Sequence, residues 1–318
     1  MTNGSGMHRV AEALAAAETA LGHDSQLVDI NKPDTWDSAV DADVQVIHTH
    51  FPDNMAKRVT RPLRLVWVGH GTPDHMFQNA AEESDHGGMW AGRPIGLLLH
   101  WMKVAHAKVT FWERHKWMYD RMLTVGARPV DLVPLGVDLA FWGGGTTAGK
   151  FAGEPSVFTC ENPHYIKWPY DLLVAWAAIA DDLPDARLHG AYLPNDMHSF
   201  YFPFFDALGS TYTAYLSATV FDKINLRNAY LSSDFFCGLV RYGDLNHNGL
   251  QAAAAGANTI SYAGNPHAKY WIAEGDQREI ARQLLAIFRK EVEPRTPTPV
   301  PDITDTAKAM LAVYGDIL

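Results

Sequence analysis

A chain of 318 residues that is 47% hydrophobic and 19% charged, with two cysteines, has the composition of a globular protein with core enough for two domains. Disorder, collagen and disulfide scaffolds are excluded, and 36 acidic against 26 basic side chains, a net charge of −10, give no whole-protein attraction to nucleic acid or anionic lipid. Cys160 and Cys237 lack CxxC or zinc-finger spacing, and the longest apolar run, residues 94–105, is too short to span a bilayer and contains His100 and Lys103. Stable membrane insertion is therefore not expected, and the cytoplasm is the expected location.

In chain order, short β-like runs alternate with helix-period segments, the pattern of parallel sheets covered by helices on both faces. The first helix is expected from Met7 to Leu21, with Val10, Leu14, Ala17 and Leu21 on one stripe and Gly22 as its stop. Strands follow at residues 26–30, 44–48, 64–68, 108–112 and 131–135, with helices at 95–105 and 114–124. The run Gly143-Gly144-Gly145 reads as a flexible boundary. Beyond it come strands at 156–160, 186–190, 213–217, 234–240 and 258–262, and a helix carrying Leu172, Leu173, Trp176, Ile179 and Leu183. Another helix spans 277–290, the proline-rich residues 293–301 form an extended crossing, and a last helix runs over 302–314. The expected division is 1–145, 146–295 and a crossing segment with its helix at 296–318.

Ligands of open α/β sheets bind beyond the carboxyl ends of the strands. There this chain places Thr49-His50-Phe51-Pro52-Asp53, then Gly69-His70-Gly71-Thr72-Pro73-Asp74-His75, then Gly136-Val137-Asp138. Glycine and proline are ordinary turn formers; His50 and His70 are not. Asn3-Gly4-Ser5-Gly6 precedes the first helix, where unpaired N–H groups and the positive dipole end favour an anion, although the full GxGxxG spacing is absent. The loop Arg241-Tyr242-Gly243-Asp244-Leu245-Asn246-His247-Asn248 leads into a small-residue helix stopped by Gly256, a second start of the same kind. One such start in each domain, facing a cleft, points to a ligand with a central diphosphate.

Taken in order, these residues resemble GT-B glycosyltransferases, in particular the retaining members of family 4. Ser5-Gly6 before a helix ending in Gly22-His23, His48-Thr49-His50, His70-Gly71 and Pro134-Leu135-Gly136-Val137-Asp138 match motifs of that family, the last being the most specific. The resemblance implies two Rossmann-like domains facing a cleft, with the first strand of the N-terminal domain missing because the glycine loop already lies at residues 4–6. It implies transfer of a sugar from a nucleotide diphosphate sugar to an acceptor hydroxyl on a glycan, lipid, protein or modified nucleic acid, with no tightly bound cofactor and no metal. The catalytic set it implies is His70, Lys167 and Asp244; donor contacts fall to Ser5, Gly6, Arg241, Asn246, His247, Asn248 and Gln251. The chain departs from the family at the paired glutamates, replaced by Gly243 with Asp244 beside it and by Gln251, and at the usual arginine, where Cys160-Glu161 stands. Two alternatives stay open: a non-catalytic nucleotide-sugar-binding protein, and a metal-dependent hydrolase using His48 and His50, which share a face of their strand.

Overall fold

The computed structural model describes residues 6–29, 32, 36–37, 41–48, 64–70, 103–112, 116–117, 119–120, 130–147, 149–160, 170–192, 208–216, 222–240 and 247–318. The elements run α1 (Gly6–Ala20), β1 (Gln45–Ile47), β2 (Leu65–Gly69), β3 (Ala107–Thr110), β4 (Asp131–Leu132), α2 (Leu139–Trp142), β5 (Ser156–Thr159), α3 (Tyr170–Ile179), β6 (Arg187–Tyr192) and β7 (Tyr212–Leu216). They continue with α4 (Lys223–Ser232), β8 (Phe235–Cys237), α5 (His247–Ala254), β9 (Thr259–Tyr262), β10 (Tyr270–Ile272), α6 (Gln277–Phe288) and α7 (Ile303–Gly315). The chain divides into two compact units, Met1–Asp138 with Pro301–Leu318, and Leu139–Val300.

In the first unit the strands lie in the order β1-β2-β3-β4, every pair parallel. Strands β2 and β3 are buried along their whole length, as parallel strands covered on both faces must be. The expected strand at 26–30 is not one: residues 26–29 are irregular, and Leu27 is 39% exposed. The end of α1 captures this segment instead. Ser25 Oγ donates to Glu18 Oε2 at 2.6 Å, Thr19 Oγ1 donates to the Ser25 carbonyl, and the His23 N–H donates to the Glu18 carbonyl.

Helix α7 belongs to this unit rather than forming a separate segment. It packs on α1, where Tyr314 Oη donates to Glu18 Oε1 at 2.9 Å, so the buried Glu18 carboxylate accepts two hydroxyl hydrogen bonds. Burial and the nearby Glu18 push the Tyr314 phenol up. The segment entering α7 runs against Gly136. Val137 N–H donates to the Pro301 carbonyl at 3.1 Å and Ile303 N–H to the Val137 carbonyl at 3.0 Å. Gly136 N–H donates to Thr306 Oγ1 at 2.7 Å, and that hydroxyl donates to the Pro134 carbonyl at 2.8 Å. A Cβ on Gly136 would lie 2.3 Å from the Asp302 carbonyl oxygen, so no side chain fits there. The Gly136-Val137-Asp138 sequence is thus a docking groove for the returning chain.

The second unit holds six parallel strands in the order β10-β9-β8-β5-β6-β7. Counted from β5, this is the Rossmann order 3-2-1-4-5-6. On one face α3 and α6 pack together, with Leu172, Leu173, Trp176 and Ile179 meeting Ile280, Leu284, Ile287 and Phe288 in one core. Each such side chain contributes roughly 1.5–3 kcal/mol by leaving water. Elsewhere in this unit, buried Tyr230 of α4 packs edge-to-face with Phe236 at 5.1 Å and Phe158 at 5.8 Å, and tilted against Trp142 at 5.9 Å. The glycine run 143–145 is packed rather than a free tether: a Cβ on Gly145 would come within 2.5 Å of Leu231. No helix among the described residues is long and apolar enough to cross a membrane.

Substituting Gly136→Ala should destabilise the first unit by several kcal/mol, because the clash is with backbone rather than a side chain that can move. Tyr314→Phe should cost about 1.5–3 kcal/mol, the loss of a hydroxyl partner to a buried carboxylate. Urea unfolding of both variants measures this, and a Tyr314→Phe midpoint equal to wild type would contradict the role given to Glu18.

Candidate functional site

In the second unit the winding reverses between β5 and β8: β6 and β7 extend to one side of β5, and β8, β9 and β10 to the other. A crevice forms at the carboxyl end of such a reversal, because the connections leaving the two strands diverge to opposite sides. The pairing Val157↔Phe235 and Phe158↔Phe236 brings Cys160 and Gly238 to this edge. Helix α5 follows β8 and starts here, and Asn248 Nδ2 in its first turn donates to the Cys160 carbonyl at 3.4 Å, linking the two sides of the reversal. The first turn of a helix carries unpaired N–H groups and the positive end of its dipole.

One turn further into α5, Gln251 is only 3% exposed, and its Oε1 has no hydrogen-bond partner among the described residues. An unsatisfied buried amide oxygen costs about 1–3 kcal/mol. Residues at the carboxyl ends of neighbouring strands are tied together behind this edge. Tyr262 Oη at the end of β9 donates to Asp171 Oδ2 at the start of α3, and Gln277 Nε2 at the start of α6 donates to Asp171 Oδ1. Asp171 is fully buried, so one carboxylate fixes the origins of two helices.

Of the residues implied by the sequence, the structure gathers His247, Asn248 and Gln251 on α5 and places Gly6 at the start of α1. Ser5, Lys167, Arg241, Asp244 and Asn246 lie outside the described residues. Sequence reasoning missed the Cys160 carbonyl as a partner of Asn248 and the Asp171–Tyr262–Gln277 tie. The former uses a backbone group, which residue type does not reveal; the latter joins residues up to 106 positions apart.

In the first unit, His48 and His70 lie just past the ends of the adjacent parallel strands β1 and β2. His48 Nδ1 lies 2.7 Å from His70 Nε2, a hydrogen bond between imidazoles, and the edge of Phe111 packs 5.5 Å from His70. His48 thus has His70 as one partner, while His50, Asp53 and His75 lie outside the described residues. Among the described residues no group of three or more His, Cys, Asp or Glu side chains is arranged to hold a metal ion. Burial pushes the His48 imidazole down to about 4 from its ordinary 6.5, so His48 is neutral near pH 7.

No known family profile matches the chain, and no curated protein does. Solved structures do match in fold. A glycosyltransferase from Rickettsia africae ESF-5 superposes with a TM-score of 0.61 at 10% identity, covering 99% of this chain and 95% of that one. The E. coli trehalose-6-phosphate protein bound with UDP-2-fluoro glucose gives 0.60 at 14% identity, over 93% and 80%. A sucrose-phosphate synthase from Thermosynechococcus elongatus gives 0.58 at 16% identity, over 92% and 77%. The chain has the GT-B fold. At these identities the likeness is one of fold, and GT-B here means two Rossmann-like units, each with a parallel sheet.

The depressed His48 value makes a pH prediction. The fold favours the neutral imidazole, the unfolded chain takes up the proton more readily, and stability is therefore full above about 6.5 and lost as pH falls toward about 4. His189 is also held down, first by burial, and acts in the same direction, so the informative quantity is the difference between wild type and His48→Asn. That variant should lose on the order of 1–3 kcal/mol less than wild type between pH 7 and pH 4. Parallel thermal-unfolding profiles would contradict the assignment.

Proposed function

We propose that the chain is a glycosyltransferase that moves a sugar from a nucleotide diphosphate sugar to an acceptor hydroxyl, with the second unit holding the donor. The observation that carries this reading is the reversal of strand order between β5 and β8 with α5 starting beside it and bridged to β5 by Asn248. The orphaned Gln251 Oε1 supports it: a ribose hydroxyl supplies the hydrogen that this oxygen lacks. The GT-B fold adds support, since the structures it resembles include a glycosyltransferase and a protein bound with UDP-2-fluoro glucose.

In the proposed step the bond between the anomeric carbon and the diphosphate oxygen breaks, the acceptor oxygen bonds to that carbon, and the acceptor proton passes to the leaving phosphate. Charge builds on the diphosphate. Lys167, Arg241 and the backbone N–H groups of residues 246–248 stabilise it, preorganised donors being worth most where charge develops. Asp244 holds sugar hydroxyls, His70 orients the sugar ring, and Ser5 and Gly6 receive an anionic group at the start of α1. Retention of anomeric configuration and membership of family 4 belong to this proposal and rest on the ordered motifs. The donor is a substrate rather than a resident cofactor, and the acceptor hydroxyl can belong to a glycan, lipid, protein or modified nucleic acid. We place the reaction in the cytoplasm, the location expected from a sequence whose two cysteines lack CxxC or zinc-finger spacing.

Thermal shift with uridine, guanosine and adenosine diphosphates tests the reading. One of them should stabilise the protein by an amount that grows with the logarithm of its concentration above Kd. Stabilisation by none would overturn the proposal. Gln251→Met should leave the unliganded protein as stable as wild type or about 1 kcal/mol more so, since it removes an unsatisfied buried oxygen, and should weaken the preferred nucleotide roughly 5- to 10-fold. Nucleotide binding with no transfer and no donor hydrolysis would identify a binding protein that kept the fold.

A further inference from the structure

Alternation along β9 gives its two faces different neighbours: Ile260 and Tyr262 enter the core shared with α3 and α6, so Ser261 points to the opposite face, which α5 covers. The register Cys237↔Ile260 sets Gly238 beside Ser261. Just past β9, Gly264 at φ 111° turns the chain. Asn265 follows it and is clamped by three hydrogen bonds: its carbonyl accepts from Trp271 Nε1 at 2.6 Å and from the Ala268 N–H at 3.3 Å, and its Oδ1 accepts from the His267 N–H at 3.0 Å. The last of these fixes which end of the amide is oxygen, so Nδ2 stands as a donor with no partner among the described residues. Ser261 Oγ likewise has none, although both residues are buried, Asn265 at 6% exposure and Ser261 at 8%. Thr259 Oγ1, by contrast, donates to the His267 carbonyl and accepts from the Lys269 N–H.

Phe236, Gly238 and Gly249 join Ser261 and Asn265 around an open cleft with room for one water-sized group. Gly249 follows Asn248 in the first turn of α5, about 100° further round the helix, so the cleft lies on the β9 side of the helix start while Asn248 faces β5. We propose that this cleft receives one hydroxyl of the donor sugar, with Asn265 Nδ2 donating a hydrogen bond to the hydroxyl oxygen and Ser261 Oγ accepting one from it. The inference rests on the proposed glycosyl transfer: a diphosphate at residues 246–248, with its ribose at Gln251 on the β5 side, directs the group at its other end toward β9. No charged side chain lines the cleft among the described residues, so a phosphate oxygen or a carboxylate would lose its water with no charge in return, whereas a neutral hydroxyl exchanges water for both partners. Asn265 and Ser261 are then specificity-determining residues for the sugar and not for the nucleotide.

An asparagine serving only as a turn former would be replaced by aspartate without effect, since a carboxylate oxygen accepts the His267 N–H equally well. Asn265→Asp therefore keeps the turn and removes the donor, and Ser261→Ala removes a hydroxyl that has no partner among the described residues. Calorimetric titration without acceptor compares the nucleoside diphosphate that stabilises the protein, from among the uridine, guanosine and adenosine forms, with its glucose, galactose, mannose and N-acetylglucosamine esters. In each variant the Kd of the free diphosphate should stay within about 2-fold of wild type, and that of the tightest-binding ester should rise about 5-fold or more, the worth of one hydrogen bond. Ester affinity unchanged in either variant, or lost in step with affinity for the free diphosphate, overturns the inference and leaves the glycosyl-transfer reading standing. Should Asn265→Asp fold poorly, Ser261→Ala decides alone. Failure of the wild type to bind any of these nucleotides overturns that reading and the sugar contact with it.

Discussion

Parallel pairing is the constraint on which the rest of this structure depends. Every strand pair in both sheets is parallel, so each crossover must return the chain to the same starting edge, and all carboxyl ends of a sheet collect on the other. The interiors of β2, β3, β5, β8 and β9 are buried throughout, leaving chemistry no place within the strands. Residues just beyond the carboxyl end of each strand are free to be polar, and His48, His70, Cys160 and the start of α5 all occupy such positions. Only the second sheet reverses its winding among the described strands, which is why the nucleotide is assigned to that unit.

The strands were legible where a short apolar run sat between turn formers, as in β2, β5 and β9, because burial on both faces leaves a nearly continuous hydrophobic stretch. Strand β10 was not read, since Trp271 faces outward at the sheet edge and the guanidinium of Arg295 stacks on it at 3.3 Å, so Tyr270–Ile272 lacks that signature. Helix α4 was missed for a related reason: exposed Ile224 and the polar residues among its apolar positions obscure the stripe formed by Leu226, Ala229 and Tyr230. The run at residues 26–29 misled in the opposite sense. Its Leu and Val suit a strand, but hydrogen bonds to Glu18 and Thr19 hold the preceding turn at the end of α1.

Glycines carried information of two kinds that sequence could not separate. Gly256, with φ near 90°, ends α5 as its position predicted. Gly136 and Gly145 looked like a motif residue and part of a flexible boundary, yet Gly136 is forced by the backbone of Asp302, and Gly145 packs against the side chains of Leu231 and Arg227. Likewise, the replacement of a glutamate by Gln251 reads in sequence only as a loss. The structure adds that the amide is buried with its oxygen unpartnered among the described residues, a cost that a hydrogen-bond donor placed there would relieve.

The central claim is that a nucleoside diphosphate occupies the carboxyl edge between β5 and β8. Amide hydrogen exchange with and without a saturating concentration of the preferred nucleoside diphosphate locates it directly. The account predicts added protection in peptides covering residues 156–161 and 238–251, around the end of β5 and the start of α5. Protection confined to Met1–Asp138, or absent from the whole chain, would contradict it.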